Sequence, residues 1–189
     1  LAQIAPQVSG QVVKLDVLDN ARVKKGQLLF EIDREPFEIA VRTAQANLEA
    51  AVQAATVSEL DISYASADLD KQRIDHSTSV ELGTIVLDLA QKKAVSETSA
   101  IRARSDMKVT NANVTRAEVE LRRARERLGK PGDDNAKVKQ AMAALAQAQL
   151  DLRNTRVLAP ADGVITNLQL RPGQYVGKGS PLLSFIAFG

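Results

Sequence analysis

The sequence predicts an α+β protein: a small β-sandwich split into two halves, with a long antiparallel α-helical coiled-coil hairpin inserted between them. Three observations predict it. Strand-like stretches near the two ends superimpose without a gap, the residues between them follow a seven-residue apolar period, and only 3% of the 189 residues are aromatic. Hydrophobic residues make up 44% of the chain, but much of that is alanine. Little large apolar surface is therefore available for one deep globular core, whereas sequence rich in Ala, Gln, Glu, Lys and Arg suits helices packed closely on each other.

The repeat comes first because it brackets everything else. Residues 8–32, VSGQVVKLDVLDNARVKKGQLLFEI, lie on residues 161–185, ADGVITNLQLRPGQYVGKGSPLLSF. Gly10 falls on Gly163, Val12 on Ile165, Leu15 on Leu168 and Val17 on Leu170. Val23 then matches Val176, Lys25 matches Lys178, Gly26 matches Gly179 and Leu29 matches Leu182. Both copies alternate apolar and polar residues, as short half-buried strands do, and Gly10, Gly26, Gly163 and Gly179 are expected at turns. One copy of about 25 residues buries too little surface to be stable alone, while two facing copies can close a sandwich. The β domain is thus expected over 1–33 and 157–189, and the hairpin over 34–156.

The hairpin opens at Asp33-Arg34-Glu35-Pro36, with Asp as the cap and proline in the first turn. Val41, Leu48, Ala55, Ile62 and Leu69 recur every seven residues, as a coiled-coil seam requires, and His76, Gly83 and Ala90 continue the phase with weaker side chains. On the return, Ala100, Met107, Val114, Leu121 and Leu128 form one stripe, and Ala103, Thr110, Ala117 and Ala124 a second. A break at 129–135 follows, carrying two glycines and a proline, after which Val138, Leu145 and Leu152 resume the second stripe in register. Both arms must start and end at the β domain, so their lengths should match. A turn near 91–95 gives arms of roughly 80–90 Å at 1.5 Å per residue. The rival turn, His76–Thr84, is richer in breaker residues but leaves the arms unequal.

Composition excludes several function classes. Twenty-five basic residues against 23 acidic ones leave a net charge of +2, which with so few aromatics gives no nucleic-acid-binding face. Cysteine is absent, so neither a disulfide framework nor a thiolate metal site is available. No apolar run approaches the roughly 20 residues that span a bilayer, and no signal peptide is visible. No catalytic, cofactor-binding or metal-binding residue is assigned. The single histidine, His76, falls in the seam as a polar register-setting residue, and Asp133-Asp134 are expected to cap the helix that follows. Gly177-Lys178-Gly179 is too short for a phosphate loop. The basic run Arg122, Arg123, Arg125 and Arg127 is expected as an exposed helix face, with pairing to a neighbouring protomer as the alternative.

Taken with their flanks, IAPQVSGQV…VKKGQLLFEID and TRVLAPADGVI…LRPGQYVGKGSPLL, the two halves resemble the split lipoyl (biotinyl-like) domain of the HlyD-like membrane fusion, or periplasmic adaptor, family. The resemblance includes an R-x-x-A-P-x-D-G re-entry at Arg156–Gly163 and covers essentially the whole chain. The break in the returning arm is most similar to the EmrA-like branch. The resemblance implies a non-enzymatic adaptor of a tripartite export pump, linking an inner-membrane transporter to a TolC-like outer-membrane channel. It implies a homo-oligomer, trimeric or hexameric, in the periplasm, held to the inner membrane by an anchor not present in this chain. Drug or small-molecule efflux is expected; an adaptor of type I protein secretion is the alternative.

The family's Arg/Leu/Ser tip motif is matched in part, with leucine at Leu89 and serine at Ser96, while its arginine position falls on Ile85. The channel-docking residues implied are Leu89, Lys92, Lys93, Val95 and Ser96. Two readings from other classes stand beside the adaptor: a cofactor-carrying biotinyl or lipoyl module of an enzyme complex, and a cytosolic coiled-coil scaffold. The first needs a modified lysine where the halves join, and Phe30-Glu31-Ile32-Asp33 contains none; no cofactor is expected.

Overall fold

A computed structural model describes residues 2–188, so the outermost limits of the expected β domain, Leu1 and Gly189, lie outside the described residues. Strands β1 (Ala2–Ile4), β2 (Gly10–Leu15), β3 (Arg22–Val23) and β4 (Leu28–Ile32) come first. Helices α1 (Glu35–Gln91), α2 (Glu97–Leu128) and α3 (Ala136–Arg153) follow, then β5 (Arg156–Leu158), β6 (Gly163–Thr166), β7 (Tyr175–Val176) and β8 (Leu183–Ala187). The chain divides into two compact units, Leu1–Glu49 with Gln140–Gly189, and Ala50–Lys139. This division cuts inside α1 and α3 rather than at the strand-to-helix junctions, because the helix bases cluster with the strands; Phe37, in the first turn of α1, packs against the β core.

The first unit holds two four-stranded antiparallel sheets, ordered β1-β8-β6-β3 and β5-β4-β2-β7. Exchanging each strand of one half for its counterpart in the other turns one order into the other, so the sequence repeat is a two-fold relation in space. Each sheet mixes strands from both halves, and neither half has a sheet of its own. The paired positions share their burial: Val12 and Ile165 are fully buried, and Val17 with Leu170, and Val23 with Val176, are nearly so. Each such side chain removed from water contributes about 1.5–3 kcal/mol before the entropy of ordering it. The backbone repeats as well. Asp16 N–H donates to Leu29 O and Gln169 N–H to Leu182 O, both at 3.0 Å, and Gly26 and Gly179 donate to Ala159 O and Pro6 O, both at 2.8 Å.

The glycines divide into two kinds. Gly26 and Gly179 have φ of 80° and 79°, a left-handed backbone that favours glycine. Gly10 and Gly163 are not turn residues, which corrects the expectation: each opens a strand, β2 or β6. What they provide is close approach. A Cβ on Gly10 would lie 2.5 Å from Ile32 Cγ2, and one on Gly163 would meet the Ile186 carbonyl and sit 2.6 Å from the Phe185 ring.

In α1, Asp33 Oδ1 accepts from Glu35 N–H at 3.1 Å, and Glu35 and Glu38 place acid in the first turn, where the helix dipole favours it. In the second unit, Ala55, Leu69 and Gly83 of the α1 seam are buried and Ile62, His76 and Ala90 half-buried, facing Ala100, Ala117, Leu121, Ala124 and Leu128 of α2. Ser58, Ala65, Gln72, Ser79 and Val86 make a second half-buried stripe on α1 that the sequence analysis did not identify. His76 Nδ1 lies 2.9 Å from Thr110 Oγ1, a hydrogen bond that ties α1 to α2, and the same hydroxyl lies 2.9 Å from Asp106 O.

The break is closed by one side chain. Asn135 Nδ2 donates to Leu128 O at 2.8 Å and Lys130 O at 3.1 Å, while Oδ1 accepts from Lys137 and Val138 N–H at 3.1 and 3.4 Å. Asn135, not Asp133-Asp134, is thus the cap of α3. The two aspartates lie in a single 3-10 turn, Gly132–Asp134, and Asp134 reaches Lys139 at 3.1 Å instead. The caps differ because only Asn135 carries both a donor for the carbonyls that end α2 and an acceptor for the amides that start α3.

Candidate functional site

The site is built from the turn between α1 and α2. Helix α1 ends without glycine: Lys93 adopts φ 55°, its N–H donates to Ala90 O at 3.0 Å, and Ala94 N–H reaches back to Leu89 O at 2.9 Å. This is the paired closure that usually places glycine at the left-handed position. The turn thereby holds Lys93 at a fixed backbone angle. Lys92 Nζ pairs with Asp88 at 2.8 Å, one helical turn back.

Helix α2 opens on Ser96, whose extended backbone (φ −70°, ψ 153°) lets Oγ accept from Ser99 N–H at 3.2 Å. The Ser96 and Ser99 hydroxyls are also 3.0 Å apart. Ser96 therefore has a capping task whether or not it meets a partner, and Glu97 adds acid at the same helix start.

Beside the turn is a hollow of about 490 Å³, with Leu87, Ala90, Val95 and Ala100 on its apolar side and Lys93 and Arg104 among its polar lining. Of the five residues expected to dock, Lys93 and Val95 line the hollow. Leu89 is half-buried, Lys92 is exposed in its ion pair, and Ser96 is engaged as the cap. Ile85, where the family motif has arginine, is 57% exposed. Arg104 was missed in the sequence. It lies on the descending helix, and only the antiparallel register brings it alongside Leu87 and Ala90.

Elsewhere, Arg122, Arg123, Arg125 and Arg127 are all exposed, with Arg123 on Glu120 at 3.1 Å and Arg127 on Asp61 at 3.8 Å. Where the β halves leave for the helices, Phe30 and Ile32 are fully buried and Asp33 caps α1. Among the described residues no three His, Cys, Asp or Glu side chains gather as a metal site. No described helix is long and apolar enough to cross a membrane.

Residues 1–186 match the family model described as RND MFP, barrel-sandwich hybrid domain. The fatty acid resistance protein FarA of Neisseria gonorrhoeae is 31% identical over 196 residues, covering 98% of this chain and 48% of the relative. The multidrug resistance protein MdtN of Shigella flexneri is 28% identical over 192 residues, covering 97% and 55%. The chain thus spans about half the length of the curated relatives it matches. The structure of the periplasmic adaptor protein EmrA aligns over 98% of this chain and 71% of its own, with a TM-score of 0.52 at 18% identity, a likeness of fold.

Proposed function

From the premise that the chain belongs to the RND MFP barrel-sandwich hybrid domain family, we propose that it is the central part of a periplasmic adaptor. In this reading the adaptor links an inner-membrane transporter to a TolC-like outer-membrane channel in a tripartite export pump. The family match over residues 1–186 carries the reading. The family is one of membrane fusion proteins rather than enzymes. FarA and MdtN are named for resistance to fatty acids and to multiple drugs, which favours small-molecule efflux over protein secretion. The place of work is the periplasm, with the full-length protein anchored to the inner membrane.

The hairpin turn is the channel-facing surface in this proposal. Leu89 and Val95 supply its apolar contact, Lys92, Lys93 and Arg104 its charge, and Ser96 holds the turn in shape. Assembly of several copies is supported by an apolar ridge on α1: Val57, Leu60 and Tyr64, at helical spacing, are 58%, 63% and 79% exposed.

The test is export in a host lacking its own adaptor. Full-length protein carrying Lys92→Glu and Lys93→Glu is expected to lose resistance to the exported compounds while keeping its circular dichroism and melting temperature. Neither lysine is buried, so folding has little at stake. Resistance equal to the unaltered protein, at equal abundance, would remove the turn from the docking surface.

A further inference from the structure

The first unit contains an open cleft of about 640 Å³ that the adaptor reading does not use. Its lining is of two chemistries: Leu28, Leu152 and Leu158, and the guanidinium groups of Arg34, Arg153 and Arg156. The strand register explains how they come together. Across β4 and β5, Leu28 pairs with Leu158 and Glu31 with Arg156, with an irregularity between Leu28 and Phe30. That irregularity buries Leu29 and Phe30 in succession and turns both Leu28 and Glu31 outward. An outward leucine pair therefore stands about 7 Å along β5 from an outward arginine, at ~3.3 Å per residue. The last turn of α3 adds Leu152 and Arg153, and the start of α1 adds Arg34.

The charges do not cancel. Arg156 reaches Glu31 at 3.4 Å and Arg34 reaches Glu38 at 3.5 Å, whereas Arg153 has no carboxylate within ion-pair distance among the described residues. Both Arg153 and Arg156 are exposed, and Leu158 is 47% exposed. The cleft thus offers one uncompensated guanidinium with two more beside it, and an apolar surface left in water. Guanidinium groups are suited to planar, two-point recognition of carboxylate and phosphate. A cavity with mostly apolar walls and a few convergent polar groups is the usual form of a small-molecule site.

We propose that this cleft binds a single-chain anionic amphiphile, its carboxylate or phosphate head held by Arg153, Arg156 and Arg34 and its alkyl tail laid on Leu28, Leu152 and Leu158. A bare inorganic anion leaves the leucines exposed, and a neutral amphiphile leaves Arg153 without a partner. The ligand needs both ends. The proposal does not depend on what the hairpin turn meets, so either can fail while the other stands.

Calorimetric titration of the purified chain decides it. Dodecanoate below its micelle-forming concentration is the main probe, acetate carries the head without the tail, and octyl glucoside carries a tail on a neutral head. Dodecanoate is expected to bind one site per chain, with acetate and octyl glucoside each weaker by about tenfold or more, the scale of losing a charge-assisted hydrogen bond or a buried alkyl chain. Arg153→Gln and Leu158→Asn are each expected to weaken dodecanoate about tenfold with melting temperature unchanged, since both side chains are exposed. Arg123→Gln, on the hairpin, is expected to leave binding as it was. Comparable affinity for lysophosphatidylglycerol assigns the head to a lipid phosphate, and binding of dodecanoate alone assigns it to a free carboxylate. Octyl glucoside binding as tightly as dodecanoate, Arg153→Gln leaving the affinity unchanged, or Arg123→Gln lowering it equally would each overturn the proposal.

Discussion

Gly10 and Gly163 hold the same place in the two β halves and fail in the same way if a methyl is added. The Ile32 side chain stands over one, and the Ile186 carbonyl and Phe185 ring over the other. Ile32 and Phe185 are buried at 0% and 2% exposure, so neither can swing away. Gly10→Ala and Gly163→Ala are each expected to cost about 1–3 kcal/mol, the usual penalty of overpacking a well-filled core, read as a lower denaturation midpoint with an unchanged slope. Asn20 is the contrasting case. It holds φ 61° where its counterpart Gly173 holds 83°. Asn20→Gly should leave stability within about 0.5 kcal/mol, because asparagine already tolerates that backbone region. The repeat was legible because side-chain alternation survives in both copies at a constant offset. The role of Gly10 and Gly163 was not, because a glycine between polar neighbours reads the same whether it turns the chain or makes room for another strand. That distinction is set by Ile32 and Ile186, far away or on a different strand.

Among the elements, the helices were legible where the seam carries large side chains and illegible where it carries small or polar ones. Ile62, Leu69, Leu121 and Leu128 announce a seven-residue period. The partner stripe of Ser58, Ala65, Gln72 and Ser79 does not, although it is half-buried alongside it. The turn proposed to dock was legible only along one arm. Leu89 to Ser96 is contiguous sequence, but Arg104 enters the same hollow from the other helix, and no pattern within a single helix reports a register across two. The break in the returning arm shows how one residue settles a junction. Asn135, at 7% exposure, serves two carbonyls and two amides. Asn135→Asp keeps the acceptor that caps α3 and loses both donated bonds, whereas Asn135→Ala loses all four. Alanine is expected to cost about 2–3 kcal/mol and aspartate about 1–2 kcal/mol, given about 1 kcal/mol for a cap and 1–3 for buried groups left unpaired. Amide hydrogen exchange around Leu128–Val138 should rise in the same order. Equal loss in the two variants would mean that the bridge to α2, not the cap, maintains the junction.

Across the whole molecule, the two sheets share strands so thoroughly that neither half can close without the other, and this predicts what the insertion contributes to folding. The buried cluster of Val12, Leu29, Phe30, Ile165, Leu183 and Phe185 draws only on the unit made of Leu1–Glu49 and Gln140–Gly189. Residues 50–139 contribute nothing to that cluster; for its folding they act as a long connection between β4 and β5 with internal order of its own. The entropy of closing a connection grows only by about 0.6 kcal/mol per doubling of its length, so shortening it should not harm the core. A chain in which a short Gly-rich linker joins Glu49 to Gln140 is therefore expected to fold. It should keep a β signature in far-ultraviolet circular dichroism, unfold in one cooperative transition and melt no lower than the parent β unit. It should also fail to restore export, because the turn proposed to meet the channel has gone. The opposite division does not work: residues 156–189 hold β5 to β8, but only β6 and β8 pair with each other there and every other pairing is to a strand of the first half, so that fragment is expected to remain unfolded until the first half is added. A shortened chain that melts without cooperativity, or a 156–189 fragment that folds alone, would show that the two-fold relation of the sheets is not what organises this protein.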